Sequence, residues 1–374
     1  MAVTVRPVSG RAGITRFIKL QWKFYGNDPN WVPPLLMDRK KLLDTKKNPF
    51  FRHAEIQLFV AERDGEAVGR IAAILNRNHN REHGDRVGFF GFFEAIEDQV
   101  VANALFDAVG GWLRARGMDT MRGPFNPSVN DEIGMLVDGF DRPPVILMTY
   151  NPRYYPSLLE GYGFRKAKDV YAYLLKKEDV ITPKLERGQS LVRQRYNITI
   201  RDLDFNNLKV ETEILKDLYN RSWERNWGAV AMTDEEFDFM AKDLAHAVGR
   251  FRDLVFVAER DGKPIGFTLC LPDLNQVLIR NRTGRLLPAL WHMLTGMKRI
   301  DLVRIAVLGV LPEHRNKGVD AVMYYETVTR AARHDIFLGE ASWVLEDNEP
   351  MNRGAKLMNA ERYKTYRLYD AALG

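Results

Sequence analysis

An eleven-residue segment of this chain occurs twice with three differences. Phe59-Val-Ala-Glu-Arg-Asp-Gly-Glu-Ala-Val-Gly69 returns as Phe256-Val-Ala-Glu-Arg-Asp-Gly-Lys-Pro-Ile-Gly266, at an offset of 197 residues. In each copy an apolar run leads into Asp-Gly and out into a second apolar run, the pattern of a β-hairpin closed by a two-residue turn. Weaker matches keep nearly the same offset: Asn30-Trp31 with Asn226-Trp227, and Asn151 with Asn348. Near the end of each half a helix-like segment precedes an aromatic-rich strand, Gly163 to Tyr173 in one and Tyr363 to Tyr369 in the other. Such a repeat restricts the chain to two copies of one domain, and the interleaving of strand and helix patterns makes each copy a mixed α/β domain.

In chain order, residues 3–8 read as a first strand and Gly10 to Tyr25 as a helix with Ile14, Phe17, Ile18 and Trp22 on one side. A turn-rich loop at 27–34 leads to a basic helix predicted over Leu35 to Lys46. The hairpin at 56–75, a strand from Val87 to Phe93 and a helix from Val100 to Arg116 follow. Lys176 to Gln194 is charged and carries Pro183 and Gly188, which predicts a linker with an intervening helix. The expected division is a first domain over 1–185, a linker over 186–197 and a second domain over 198–374. In the second copy Ile198 to Arg201 is the first strand. Helices are predicted over Asn206 to Trp223 and Asp234 to Val248, the latter with Thr233 and Glu236 placed for a capping box. Leu338 to Leu345 reads as a fifth strand and Asn348 to Met358 as a helix.

Bulk composition limits the partners. The chain has 374 residues, 45% hydrophobic and 28% charged, a net charge of +6 and a pI near 9.2. That length suits two domains and that composition a globular protein. The basic balance favours an anionic partner, but no basic run is interleaved with aromatics, so nucleic acid is not expected. The single cysteine, Cys270, lies in an apolar run and reads as a buried structural thiol. Neither a signal peptide nor about 18 uninterrupted apolar residues stands out, which predicts a cytoplasmic chain, at most peripheral to the inner face of the membrane. His53, His79 and His83 lack metal-ligand spacing, and no metal is expected.

Within the second copy, Arg304 to Asp320 holds an apolar run, Ile305 to Leu311, that reads as a buried strand and a basic glycine-bearing loop (Arg315, Asn316, Lys317, Gly318), and Ala321 to Ala332 then reads as a helix. First-turn amides without acceptors, a positive helix end and a glycine that admits close approach predict a site for a phosphorylated ligand, to which Arg315 and Lys317 add mobile positive charge. The arrangement resembles the acyl-CoA-binding core of the GCN5-related N-acetyltransferase (GNAT) superfamily, where a strand precedes Arg/Gln-x-x-Gly-x-Gly/Ala. Asp320 stands where Gly or Ala is usual. The resemblance covers nearly the whole chain, twice. It is strongest to a tandem bacterial group with Asn-Asp-Pro-Asn-Trp-Val-Pro-Pro (27–34), Gly-Pro-Phe-Asn-Pro-Ser (123–128), Tyr-Asn-Pro-x-Tyr-Tyr (150–155) and Tyr-Lys-Thr-Tyr-Arg-Leu-Tyr (363–369). The chain is also similar to bacterial ceramide synthases, which carry this fold and attach a fatty acyl group to a sphingoid amine.

The resemblance implies two tandem GNAT-like acyltransferase domains and an N-acyltransferase using acetyl-CoA or a long-chain acyl-CoA. The acceptor would be a primary amine, with a sphingoid or other lipid-like amine as the candidate. Val307, Leu308, Gly309 and Val310 would face the pantetheine and thioester. Arg315, Asn316, Lys317, Gly318, Val319 and Asp320 would form the pyrophosphate cradle, with Asn348 on the last helix. The superfamily's usual tyrosine acid is missing, since position 355 is Ala355. In the first copy the acidic Glu94-Ala-Ile-Glu-Asp98 stands in place of the cradle, so that half is expected to be degenerate and to shape the acceptor site instead.

Acyl transfer to an amine also asks for a base. Glu346, at the end of the fifth strand, is one candidate. Another is Glu132 in the polar loop 126–134, with Asn130 positioning the acceptor. His314, in the phosphate loop, reads as a surface histidine. The segment 286–300 places Leu286, Leu290, Met293, Leu294 and Met297 on one helical face between basic residues. It would lie in a membrane interface, roof an acyl-chain channel or dock on the other half. The alternative to an enzyme is a non-catalytic acyl-CoA-binding or regulatory protein. A monomer and a homodimer both remain open.

Overall fold

Both Asp-Gly turns form as the hairpin pattern predicts. Asp64 and Gly65 have φ of 54° and 81°, and Asp261 and Gly262 have 52° and 73°, the left-handed pair a type I′ turn needs. Each hairpin is bulged at the same place, between Ala61 and Glu62 in one copy and Ala258 and Glu259 in the other. The repeat therefore extends to backbone irregularity. The computed structural model describes residues 2–223 and 226–374.

Two compact units divide the chain. One holds residues 2–170 with Asn275–Lys298 and Lys364–Gly374, the other Tyr171–Leu274 with Arg299–Tyr363. In the first unit, β1 (Thr4–Pro7), β2 (Ala54–Arg63), β3 (Glu66–Asn76), β4 (Val87–Ala95) and β5 (Thr120–Gly123) lie side by side in that order. All neighbours are antiparallel except β4 and β5, which are parallel. The helix Gln99–Arg114 makes the β4–β5 crossover and buries Val101, Leu105, Phe106, Val109 and Leu113. Short strands β6 (Phe125–Asn126), β7 (Glu132–Ile133) and β8 (Met135–Asp138) follow, and β9 (Arg165–Lys176) begins in this unit and ends in the second.

The predicted helix Gly10 to Tyr25 is present as two pieces, Gly10–Lys19 and Gln21–Tyr25. The basic helix is shorter than predicted, Leu36–Leu42. Beyond it the Asp44 carboxylate accepts from the Lys46 N–H, a local turn that competes with further helix.

The second unit contains β10 (Ile198–Asp202), β11 (Val255–Arg260), β12 (Lys263–Pro272), β13 (Leu302–Val310) and β14 (Leu338–Leu345), also in sequential order with only the last pair parallel. On one face the helix Val319–Ala332 packs Val319, Val322 and Met323 against Phe256, Ala258, Ile265 and Val310. On the other, Leu218 of the helix Leu208–Trp223 meets Val257, Phe267 and Leu311. The helix Asp234–Val248 has the expected capping box between Thr233 and Glu236. The final strand β15 (Glu361–Ala372) starts in this unit, and from Lys364 onward it belongs to the first, in register with β5 and β8.

The units thus group the chain differently from the halves of the repeat. Repeat spacing identifies equivalent segments; it carries no information on which sheet a terminal strand joins. The intervening helix expected between the halves is present as Pro183–Tyr196, with Val192 and Tyr196 packed in the second unit's core. Pro183 sits in the first turn, where its missing N–H is harmless, so it starts this helix.

Candidate active site

In the second unit the parallel strands part company. β13 and β14 hold register only from Leu302 opposite Leu338 to Ile305 opposite Ala341, although each strand continues for several residues. On the other side of β13 the register with β12 slips between Leu269 and Cys270, leaving Ala306 as a bulge. Ala306, Val307 and Leu308 are half-exposed. Their edge away from β12 has no strand partner among the described residues. Gly309 is required here, because a Cβ would lie 2.5 Å from the indole of Trp223.

Past Val310 the chain makes a short turn, Pro312–His314, and passes through Asn316 (φ 59°) and Gly318 (φ 78°) into the helix Val319–Ala332. Gly318 is the N-cap and no side chain caps this helix, so its first-turn amides face outward from a positive helix end. Lys317 is anchored on the Glu313 carbonyl at 2.8 Å. Arg315, expected as mobile positive charge, is a brace: its guanidinium donates to the carbonyls of Val310 (3.1 Å) and Ser222 (2.6 Å). Burial first, and then the Lys317 charge, hold His314 below the usual imidazole range. Asp320 is exposed in the first turn, one turn ahead of the buried Tyr324. Asn348 is the N-cap of the helix Glu349–Leu357, its side chain accepting from the Met351 N–H at 3.3 Å. Glu346 sits half-buried in the preceding turn, its carbonyl accepting from Asn352.

One cluster was not anticipated. Arg304 and Glu340 lie directly opposite in the last stretch of β13–β14 register, exposed by only 2% and 0%. Arg304 Nε donates to Ser342 Oγ (3.1 Å), Ser342 donates to one Glu340 oxygen (2.7 Å), and the Tyr363 hydroxyl donates to the other. The guanidinium also lies over the Trp343 ring, 4.9 Å from its centre. The Trp343 Nε1–H is buried with no hydrogen-bond partner among the described residues. A charged residue inside each of two apolar strand patterns was the available signal, since burying a charge requires a partner.

The first unit has the same strand geometry with its opening filled. β4 and β5 are in register only from Val87–Thr120 to Phe89–Arg122, and β4 is bulged where Phe92 has φ 50°. Asn126 Oδ1 accepts the Phe92 N–H at 2.6 Å, and Gly91 has no room for a Cβ beneath the Phe125 carbonyl. The Asp98 carboxylate caps the helix Gln99–Arg114, accepting from the Val100 and Val101 N–H groups at 2.8 and 3.4 Å. Its hydrogen bond from Arg63 holds it below the usual carboxylate range. Asn130 and Glu132 lie in this unit. The Asn130 N–H bonds Ser128 Oγ at 3.2 Å, and Glu132, on β7, pairs with Arg39 at 2.6 Å. Burial works against the Arg39 charge, but Glu132 together with Asp38 and Asp131 outweighs it and the guanidinium pKa is raised.

Burial pushes the Cys270 thiol up to about 12, which leaves it inert as a nucleophile. Among the described residues no group of three His, Cys, Asp or Glu is placed to hold a metal.

A strand bulge, a parallel pair that opens after it and an uncapped glycine-entered helix together leave a strand edge and helix amides open to a ligand. The profile of the Acetyltransferase (GNAT) family matches residues 212–356. A bacterial ceramide synthase of Caulobacter vibrioides (strain NA1000 / CB15N) is 36% identical over 99% of this chain and 98% of its own length. Protein YghO of Escherichia coli (strain K12) is 34% identical over 98% of this chain and 94% of its own. A tandem GNAT protein from the clavulanic acid biosynthesis pathway aligns over 100% of this chain and 99% of its own, with a TM-score of 0.60 at 13% identity. The chain belongs to the GNAT family, as a tandem of two GNAT-like domains, and is an N-acyltransferase.

Proposed function

We propose that the second unit binds an acyl-CoA and that the protein transfers its acyl group to the primary amine of a lipid-like acceptor. The observation that carries the donor site is the contrast between the two units. The open β13 edge and the uncapped Val319 helix have counterparts in the first unit that Asn126 and Asp98 already occupy. An extended amide chain such as pantetheine fits the edge at Val307 to Val310 by strand-like pairing. The pyrophosphate fits the loop amides from Asn316 to Asp320 with Lys317 beside it, while Arg315 holds the loop in shape. A long-chain thioester and a sphingoid amine are the substrates we favour, supported by the ceramide synthase relative, and such an acceptor would be met at the inner face of a membrane.

Melting temperatures with palmitoyl-CoA (below its micelle range), acetyl-CoA and free coenzyme A test the donor. Saturation at a hundred times Kd stabilises by about 2.7 kcal/mol. The largest shift is expected with palmitoyl-CoA. A larger shift with acetyl-CoA would reject the long chain, and no shift with any of the three would reject the donor site.

In the transfer the acceptor ammonium gives one proton to a base, the amine nitrogen forms a bond to the thioester carbon, the carbon–sulfur bond breaks, and the nitrogen's second proton ends on the departing thiolate. We assign the acceptor's proton to Glu340, received through Tyr363, whose hydroxyl already donates to it. Glu340→Gln is expected to lower kcat by about 100-fold or more, with acyl-CoA stabilisation retained. Glu346→Gln is expected to change kcat by only a few-fold. The reverse pattern would give the base role to Glu346. Glu132, tied to Arg39, serves structure in this scheme.

A further inference from the structure

We propose that the helix Leu286–Gly296 docks the first unit onto a bilayer bearing anionic headgroups. Leu287 (78% exposed), Leu290 (44%), Trp291 (66%) and Leu294 (83%) form one stripe at i, i+3, i+4 and i+7, and Leu286 (43%) extends it. The stripe differs from the face expected from sequence, in which Met293 and Met297 belonged; both are half-buried. The opposite side decides the rotation: Ala289 is buried, and Gly296 lies so close to Val277 that a Cβ would be 2.8 Å from it. Large apolar side chains contiguous on a helix surface and open to water mark an interaction site.

The segment leading into the helix holds it firmly. Trp22 Nε1 donates to the Arg282 carbonyl at 2.7 Å, and the Arg282 guanidinium donates to the carbonyls of Trp31, Gly26 and Asp28. Leu36 N–H bonds the Gly284 carbonyl at 2.9 Å, and Asn281 Nδ2 bonds that of Arg285 at 2.9 Å. The apolar stripe is therefore presented on a fixed support.

Charge and length choose the occupant. Residues 275–300 contain no Asp or Glu, while Arg280, Arg285 and Lys298 are exposed at the two ends of the helix. Leucines with a tryptophan between cationic ends suit the boundary between acyl chains and anionic headgroups. Eleven residues rise about 16 Å, against a hydrocarbon core of about 30 Å, so the helix lies in the interface plane. Among the described residues no helix is long and apolar enough to cross a membrane. A second copy of this chain is the poorer fit, since a two-fold contact brings the cationic ends against each other. The surface stands independently of the transfer reaction, and loss of the proposed acceptor would leave it intact.

Co-sedimentation with vesicles tests this. The wild-type protein is expected to bind phosphatidylglycerol–phosphatidylcholine (1:1) vesicles, to bind phosphatidylcholine alone far more weakly, and to lose binding as salt is raised. The variant L287S/W291S/L294S, changed only at exposed positions, is expected to partition about 30-fold less or lower, with its melting temperature and acyl-CoA shift unchanged. R285E/K298E should lose the preference for phosphatidylglycerol. Equal vesicle binding by the triple variant would overturn the proposal, as would absence of wild-type binding. Self-association of the wild type, abolished by the triple variant without any vesicle binding, would assign the stripe to a contact between copies.

Discussion

Gly318→Asp, made in a Val192→Ala background, is expected to weaken acyl-CoA binding by about 100-fold or more, equivalent to about 2.8 kcal/mol. Gly318 enters the Val319 helix at φ 78°, and a Cβ there would lie 2.9 Å from Val192 Cγ2. Val192→Ala removes that clash, and Asp tolerates a left-handed conformation better than most residues. The new carboxylate would then either take the first-turn amides itself, as Asp98 does in the first unit, or face the pyrophosphate. Two unit charges about 4 Å apart at an effective dielectric of about 20 interact by about 4 kcal/mol, ample for the expected loss. Titration calorimetry with coenzyme A measures it. Val192→Ala alone and Val192→Ala with Gly318→Ala serve as controls, and both should bind. Binding by the Asp variant as tight as by these controls would remove the phosphate from this loop.

Glu94→Ala is expected to destabilise the first unit by about 3–5 kcal/mol. Glu94 is 3% exposed and accepts from Tyr25 (2.6 Å), Tyr155 (2.8 Å), Gln21 (2.9 Å) and Arg70 (3.3 Å). Arg70, itself 2% exposed, would keep only backbone acceptors such as the Phe17 carbonyl at 2.7 Å. Burial already lowers its pKa, so removing the carboxylate leaves a charge without its counter-ion in a dry place. The two phenols, held protonated by burial and then by Glu94, would lose their acceptor. Denaturant unfolding followed by hydrogen exchange in β3 and β4 reads the effect in this unit separately from the other. A loss below about 1 kcal/mol would mean that water replaces the carboxylate and that the network contributes little to the fold.

Glu94 also shows where sequence reasoning stops. In the sequence it is the first residue of an acidic run standing in place of a phosphate loop. Only Asp98 of that run occupies the helix amides; Glu94 turns into the unit and holds two tyrosines and an arginine. The run was visible, but the division of labour within it depends on which face of β4 each residue occupies after the bulge at Phe92.

Periodicity and repetition were enough for the two Asp-Gly turns, the capping box at Thr233 and the strand–loop–helix passage at 304–332. Each depends on residues close in sequence, where backbone preference and hydrophobic period act directly. Tertiary structure decided the rest. It turned Arg315 from a mobile cation into a brace on the Ser222 carbonyl, rotated the Leu286 helix so that Trp291 faces out, and placed the end of β15 beside β5. It also brought Arg304, Glu340, Ser342 and Tyr363 together from three strands. Those outcomes depend on partners tens to hundreds of residues away, and a one-dimensional pattern shows that a charge must be buried without showing what will pair with it.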